Sequence, residues 1–254
     1  MTEQTRTAPA ARPTSFWEDA LPQSIRWWAA PLGVSVVLGF ALFPFDGPIF
    51  EAVRSLGERL GGDVKRELQF LGQFGAISSV VIAAVVIWLL DERRRSSAWR
   101  VLLAAGVSGA LCLVLKMLIG RPRPKFDDPG VLLGPFGAYP MGPEVGVRHA
   151  WEFWADISSD LWAMPSSHTA GAFALAAVLS RWYPKLIGLL IPLAIAVAAS
   201  RLLFGAHYPS DVAVGAGVGW ISGLFAARWG VGKDPTRAGI PETTPQRDAP
   251  AAMV

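Results

Sequence analysis

A chain of 254 residues has room for one domain, or two at most, so a large multidomain assembly is excluded. Apolar residues make up 52 % and charged residues 17 %, against roughly 25 % charged in soluble domains, and mean hydropathy is +0.37; a disordered polar chain is excluded and a cytosolic enzyme is disfavoured. The net charge of +3 would fit nucleic acid only if the basic residues clustered on a soluble face, and their scatter along the chain predicts no nucleic-acid partner.

Residues 1–24, rich in Thr, Ala and Pro, lack the basic-then-apolar layout of an export signal and read as a disordered cytoplasmic arm. Beyond them six apolar runs of about 20 residues recur, the length a helix needs to cross roughly 30 Å of hydrocarbon. They cover residues 27–43, 68–90, 101–120, 163–183, 186–205 and 212–229. The expected fold is therefore all-α, an integral membrane bundle of six transmembrane helices occupying residues 25–230, with the bilayer as its solvent. Between the first two spans Phe50, Val53, Leu56, Leu60 and Val64 recur at helical spacing among charged residues, which predicts an amphipathic interfacial helix. Residues 231–254 read as a disordered cytoplasmic tail.

Lys and Arg in the short connections set the orientation. The segment 91–100, the 181–185 connection, the N-terminal stretch up to Arg26 and the C-terminal stretch from Arg228 together hold 13 of the 23 basic residues, and an even number of spans places all four on one side. That side is cytoplasmic, so both termini are expected inside a plasma (inner) membrane. Trp88, Trp99, Trp182 and Trp229 mark the inner edge, and Trp151, Trp154 and Trp162 the outer one.

Four further basic residues sit on the amphipathic helix, which leaves Lys116, Arg121, Arg123, Lys125, Arg148 and Arg201, all at the outer level where positive charge is not expected. The acidic residues of the long outer loop, Asp127, Asp128, Glu144, Glu152, Asp156 and Asp160, supply ordinary surface ion pairs for Lys125 and Arg148. For the others an anion is the natural partner. His168 and His207 lie at the same level; His149 has no comparable setting and receives no role.

Three local sequences carry the chemistry. The third span ends in Lys116-Met-Leu-Ile-Gly-Arg121-Pro122-Arg123-Pro124. The fourth begins Met164-Pro165-Ser166-Ser167-His168, a helix start whose unpaired N–H groups and positive dipole end favour a phosphate. The fifth leads into Ser200-Arg201, then His207 and Asp211. Lys116 supplies a point charge beside the planar forks of Arg121 and Arg123, and Arg201 approaches from another span. His207 and Asp211 are four apart, so a helix starting near Pro209 lets the carboxylate hold one imidazole nitrogen while the other faces the ligand. His168, from a different helix, can give a proton to a leaving oxygen.

Together these segments resemble the type 2 phosphatidic acid phosphatase superfamily, with its Lys-x6-Arg-Pro, Pro-Ser-Gly-His and Ser-Arg-x5-His-x3-Asp motifs. The first is matched by Lys116 and Arg123-Pro124, the third by Ser200-Arg201, His207 and Asp211, and the second departs only in having Ser167 where the family usually has glycine. The resemblance implies a catalytic set of His207 as nucleophile, Asp211 orienting it and His168 as acid. It also implies a phosphate-binding set of Lys116, Arg123, Ser166, Ser167 and Arg201. No cofactor and no metal are implied, and no carboxylate or Cys/His cluster with ligand spacing lies beside the motifs. The substrate class implied is a lipid phosphate: phosphatidic acid, phosphatidylglycerol phosphate, a polyprenyl diphosphate or a glycolipid phosphate, met at the extracytoplasmic face. The alternative is a non-enzymatic transporter or carrier that uses the same cations to hold an anionic lipid headgroup.

Overall fold

A computed structural model describes residues 23–155 and 158–229, so the expected arm, except for its last two residues, and the expected tail lie outside the described residues. Eight helices follow in chain order: α1 (Gln23–Leu42), α2 (Asp46–Arg59), α3 (Gly62–Leu71), α4 (Ile77–Leu90), α5 (Trp99–Ile119), α6 (Ser167–Trp182), α7 (Ile187–Leu203) and α8 (Pro209–Arg228). The expectation of purely helical structure needs one small correction. The loop between α5 and α6 carries an antiparallel hairpin, β1 (Ala138–Pro140) with β2 (Val147–His149), pairing Tyr139 with Arg148.

Four helical stretches are long and apolar enough to cross a membrane: Ala29–Arg59, Arg95–Ile119, Pro184–Leu203 and Pro209–Arg228. The other two expected spans are represented by shorter helices. The run at 68–90 is broken because the chain turns after Leu71, with Phe74 N–H bonded to the Leu71 carbonyl at 3.0 Å and Ala76 N–H to that of Gln73 at 2.9 Å. This turn lets Gly75 lie directly on α6, where a Cβ would stand 2.1 Å from the Ala172 nitrogen. What remains, α4, has 14 residues, or about 21 Å of helix. The run at 163–183 yields 16 helical residues in α6 because its first residues form an extended approach to the helix.

The expected amphipathic helix is two helices, α2 and α3, separated at Leu60, whose ψ of 137° leaves the helical region. Its apolar stripe does not face the protein throughout. Phe50 is buried, whereas Leu56 and Val64 are about half exposed. The inward face of α2 is instead Asp46, Phe50 and Gly57, with Gly57 set so closely against α7 that a Cβ would stand 2.3 Å from the Leu203 carbonyl oxygen.

α8 is the central helix. Of its apolar window 67 % is buried, against 17, 22 and 28 % in the other three long stretches. Small residues make that burial possible, since helices in lipid associate by close packing rather than by expulsion of water. Gly215, Gly219 and Gly223 form a seam one turn apart against Ser166, the residue before α6, and Ala170 and Ala174 within it. Cβ atoms there would meet the carbonyl oxygens of those three residues at 2.7, 2.0 and 2.3 Å. On the other flank Ser35 of α1 lies over Gly217 and donates to the Ala213 carbonyl at 2.6 Å. The seam fixes how the N-terminal ends of α6 and α8 stand beside each other, and those ends carry the site.

The two ends of the bundle are chemically distinct. At one, Asp91 accepts from Tyr183 at 2.7 Å, Arg94 donates to the Trp182 carbonyl at 3.0 Å and Arg100 to that of Ala227 at 3.5 Å. This end gathers the charged 91–100 segment with the C-terminal ends of α6 and α8. At the other end the C-terminal ends of α5 and α7 meet the N-terminal ends of α6 and α8.

Candidate active site

The first motif is positioned by a helix stop. α5 ends at Gly120, whose φ of +57° is the left-handed conformation that closes a helix, with its N–H bonded to the Lys116 carbonyl at 2.9 Å. The chain then leaves in extended form, and Arg121 pairs as a single bridge with Trp162, just ahead of α6. The carbonyl of Arg121 accepts from Ala163 N–H at 3.0 Å, and Arg123 N–H donates to the Asp160 carbonyl at 2.8 Å. Side chains two apart in a regular strand would share a face, yet these two part company: Arg121 is wholly buried, whereas Arg123 stays partly exposed and bonds the Ser159 carbonyl.

Arg121 turns inward and is wholly buried. Its Nη1 donates to Asp211 Oδ1 at 2.6 Å and to Ser210 Oγ at 2.7 Å, and its Nη2 donates to Asp46 Oδ2 at 2.7 Å and to the Pro129 carbonyl. The guanidinium lies between the rings of Phe43 and Tyr208, 4.9 and 4.4 Å from their centroids. The expected approach of Arg121 to a bound anion is thereby corrected: both ends of its fork are occupied by carboxylates. Asp46, with no assigned role in the sequence, also accepts from Ser210 N–H at 2.9 Å and from the Ser210 hydroxyl. One signal pointed to it, a lone acidic residue between two apolar aromatic runs, since an ionisable group at membrane depth is functional by default.

The remaining cations stay available. Lys116, although buried, bonds only the Trp162 carbonyl, at 3.0 Å, and Arg123 Nε only the Ser159 carbonyl, at 2.7 Å. Arg201 Nε reaches its neighbour Ser200 Oγ at 3.4 Å. Among the described residues none of the three stands in an ion pair, yet Arg123 acts electrostatically on both Lys116 and Arg201. Three like charges held together, none of them in an ion pair, call for an anion.

The second motif sits where expected. Ser166 precedes α6 as its N-cap residue, and its own N–H donates to the Asp211 carbonyl at 3.0 Å, tying the starts of α6 and α8 together. Ser166 is buried, with its hydroxyl accepting from Thr169 at 3.0 Å, whereas Ser167 and His168 are exposed in the first turn. The unpaired N–H groups of that turn and the positive helix end face the same region as the cations. Lys116, Arg123, Arg201 and His207 all act electrostatically on His168, so cationic and imidazole groups from separate helices do converge.

His207 lies buried in the short connection between α7 and α8, close enough to His168 to act on it electrostatically. Its Nδ1 is 3.6 Å from Asp211 Oδ2, and no hydrogen bond satisfies that nitrogen. Asp211 Oδ2 accepts from Tyr208 N–H at 2.8 Å and Oδ1 is held by Arg121, so the carboxylate is fixed from two sides. Burial pushes the His207 imidazole below its usual value, helped by Lys116 and Arg123 and opposed by Asp211. The ring is neutral at neutral pH and is able to act as a nucleophile.

Among the described residues of the loop from α5 to α6, Tyr139, Ala150 and Leu161 form a small core of their own. Within it the expected surface pairs form, Lys125 to Asp160 at 2.8 Å and Arg148 to Glu152 at 3.8 Å. His149 bonds the Gly137 carbonyl through Nδ1 at 3.0 Å and stacks on Trp151, a structural placement. Trp162 donates from its indole to the Ala150 carbonyl at 2.6 Å while its own carbonyl receives Lys116. Among the described residues no group of three or more His, Cys, Asp or Glu could hold a metal ion.

Known proteins with this arrangement can now be compared. The model of the PAP2 superfamily matches residues 97–234. The decaprenylphosphoryl-5-phosphoribose phosphatase of Mycobacterium tuberculosis is 31 % identical over 172 residues, covering 66 % of this chain and 81 % of that protein. The lipid A 1-phosphatase of Rhizobium etli is 27 % identical over 225 residues, covering 80 % and 84 %. In fold, the chain is similar to the crystal structure of a transmembrane PAP2 type phosphatidylglycerolphosphate phosphatase from Bacillus subtilis, with a TM-score of 0.56 and 20 % identity over 79 % of this chain and 94 % of that one. The stretch matched by the family contains all three motifs, and the chain belongs to the PAP2 superfamily of phosphatases.

Proposed function

We propose that the protein hydrolyses a lipid phosphomonoester or diphosphate through a phosphohistidine on His207. The observation that carries this reading is the meeting of Lys116, Arg123 and Arg201, none of them in an ion pair, around two histidines of which one is backed by a fixed carboxylate. Nδ1 of His207 faces Asp211, which leaves Nε2 for phosphorus. Attack by Nε2 forms the N–P bond as the P–O bond to the lipid breaks, and His168 gives its proton to the departing oxygen. A water then gives a proton back to His168 and its oxygen displaces Nε2, releasing inorganic phosphate. Lys116, Arg123, Arg201 and the N–H groups of Ser167 and His168 hold the phosphoryl oxygens and stabilise the charge of the transition state. No step calls for a metal.

The names of the relatives, each a phosphatase of a phosphorylated lipid, support a headgroup phosphate at the membrane surface as the substrate. In this reading α1, α4, α5, α6, α7 and α8 form six spans, with α2 and α3 lying at the interface. The basic 91–100 segment and both termini face the cytoplasm of an inner membrane, and the site opens outward. The separation of the two chemically distinct ends of the bundle supports that sidedness.

The test is a phosphate-release panel with purified protein over phosphatidic acid, phosphatidylglycerol phosphate, a polyprenyl diphosphate and a glycolipid phosphate, in excess chelator, with His207→Ala as the blank. Release by wild type and none by the variant is the expected result. Undiminished release from His207→Ala would remove the nucleophile, and binding without release by either would favour a carrier of anionic headgroups.

A further inference from the structure

Arg121, Asp46 and Asp211 form a fully buried charged trio assembled from three distant parts of the chain. Burying charges is costly unless each is paired and hydrogen-bonded, and this trio is: the two nitrogens of one guanidinium fork are divided between two carboxylates. Arg121 neutralises only one of them, so the trio carries one surplus negative charge, and Asp211 presents it to His207, with Lys116 and Tyr208 also within its reach. Capping of α8 does not account for Asp46 fully, since a neutral amide could accept from Ser210 N–H just as well.

We infer that Asp46 and Arg121 are positioning residues of the phosphoryl transfer: Arg121 holds Asp211 with Oδ2 toward His207, and Asp46 supplies the surplus charge that stabilises the cationic ring of the phosphohistidine. When Nε2 bonds to phosphorus while Nδ1 keeps its proton, the ring becomes a cation in a buried site, and a fixed counter-charge lowers the free energy of that intermediate. Without Asp46 the whole charge of Arg121 falls on Asp211, and the trio becomes neutral. Neither residue touches the phosphate, so their loss acts on turnover and not on binding. The inference rests on the nucleophilic role proposed for His207.

The experiment compares Asp46→Asn, Asp46→Glu and Arg121→Lys with wild type and His207→Ala on the panel lipid that wild type turns over fastest, with orthovanadate affinity as a separate measure of the anion cradle. Asp46→Asn, which keeps the acceptor for Ser210, is expected to lower kcat roughly ten- to a hundred-fold, by analogy with partners that orient metal ligands, with KM and vanadate affinity near wild type. The charged groups facing His207 are Lys116 from the end of α5, Arg123 from the extended segment after it, Asp211 from α8, and His168 from α6, and all of these stay in place. Removing one negative charge behind them therefore moves the acid limb of kcat/KM to lower pH, a shift that a merely structural role would not produce. Asp46→Glu should leave that limb in place. Arg121→Lys, which cannot span two carboxylates, should lower kcat while retaining vanadate affinity.

Wild-type kcat and an unmoved acid limb in Asp46→Asn would overturn the inference while leaving the phosphatase reading intact. If that variant fails to fold, wild-type kcat in Arg121→Lys does the same. Full turnover by His207→Ala, or none by wild type on any panel lipid, would instead remove the phosphatase reading, and this inference with it.

Discussion

Replacing Gly219 by alanine tests whether the seam between α6 and α8 is what holds the site together. A Cβ at this position would stand 2.0 Å from the Ala170 carbonyl oxygen and 2.7 Å from its carbon. Carbon–oxygen contacts begin near about 3.3 Å, so the helices must separate by about 1.3 Å. Both neighbours are backbone and cannot swing aside as a flexible side chain could. Overpacking of this kind costs about 1–3 kcal/mol, which thermal unfolding in detergent would read as a clear loss. The larger effect falls on activity. One α-helical turn from Ala170 lies Ser166, whose N–H bond to the Asp211 carbonyl joins the two helix starts, and His168 and Asp211 ride on opposite sides of the gap. A displacement of about 1 Å between reacting groups costs on the order of a hundred-fold in rate, and phosphate release should fall by about that amount. Gly106→Ala, on α5 with nothing within 4 Å of the added carbon, is the control and should be neutral or slightly stabilising. A Gly219→Ala protein with wild-type melting and wild-type turnover would refute the claim that close backbone contact sets the site geometry.

Other expectations follow from the same geometry. Lys116→Ala should lower kcat roughly a hundred- to a thousand-fold, as loss of one oxyanion donor does elsewhere, and steady-state phosphate release would show it. Because burial holds His207 below its ordinary value of 6.5, the neutral nucleophile persists to lower pH than a solvent-exposed imidazole would allow. The acid limb of kcat/KM should therefore lie below 6.5, and a limb above 6.5 in a pH–rate profile would contradict the assignment. Gly120→Val places a β-branched residue at φ +57° and a Cβ 3.0 Å from that of Ala150; a loss of roughly 1–2 kcal/mol is expected from the backbone alone, measurable by thermal unfolding. Tyr183→Phe removes the hydrogen bond that chiefly holds the Asp91 carboxyl below its usual value, so the stability that Asp91 contributes above that value, lost on acidification through its folded pKa, should diminish in melts near neutral pH.

Much of this protein is legible along the chain because the signals involved are short in range. Apolar runs announce helices in lipid, the glycine after Ile119 announces a stop, and Pro165-Ser166-Ser167 announces a start. The four-residue spacing from His207 to Asp211, with a helix start at Pro209 between them, lets the carboxylate approach the imidazole, and the structure finds them 3.6 Å apart. The seam glycines of α8 were also there to be read, at every fourth position, although what they pack against was not.

What the sequence determined by itself was thus the membrane-type helices and the set of motif residues, since hydrophobicity, caps and helical spacing act within a few residues of each other. Only the tertiary structure decided what lies between them. Arg121 and Arg123 are two residues apart and chemically identical, and which one faces a ligand depends on an extended segment pinned to Trp162 and on an acidic partner 75 residues away. Asp46 reaches Ser210 across 164 residues. A buried charge has no local signature of its partner, because the free energy that places it comes from groups that meet only when the helices have packed.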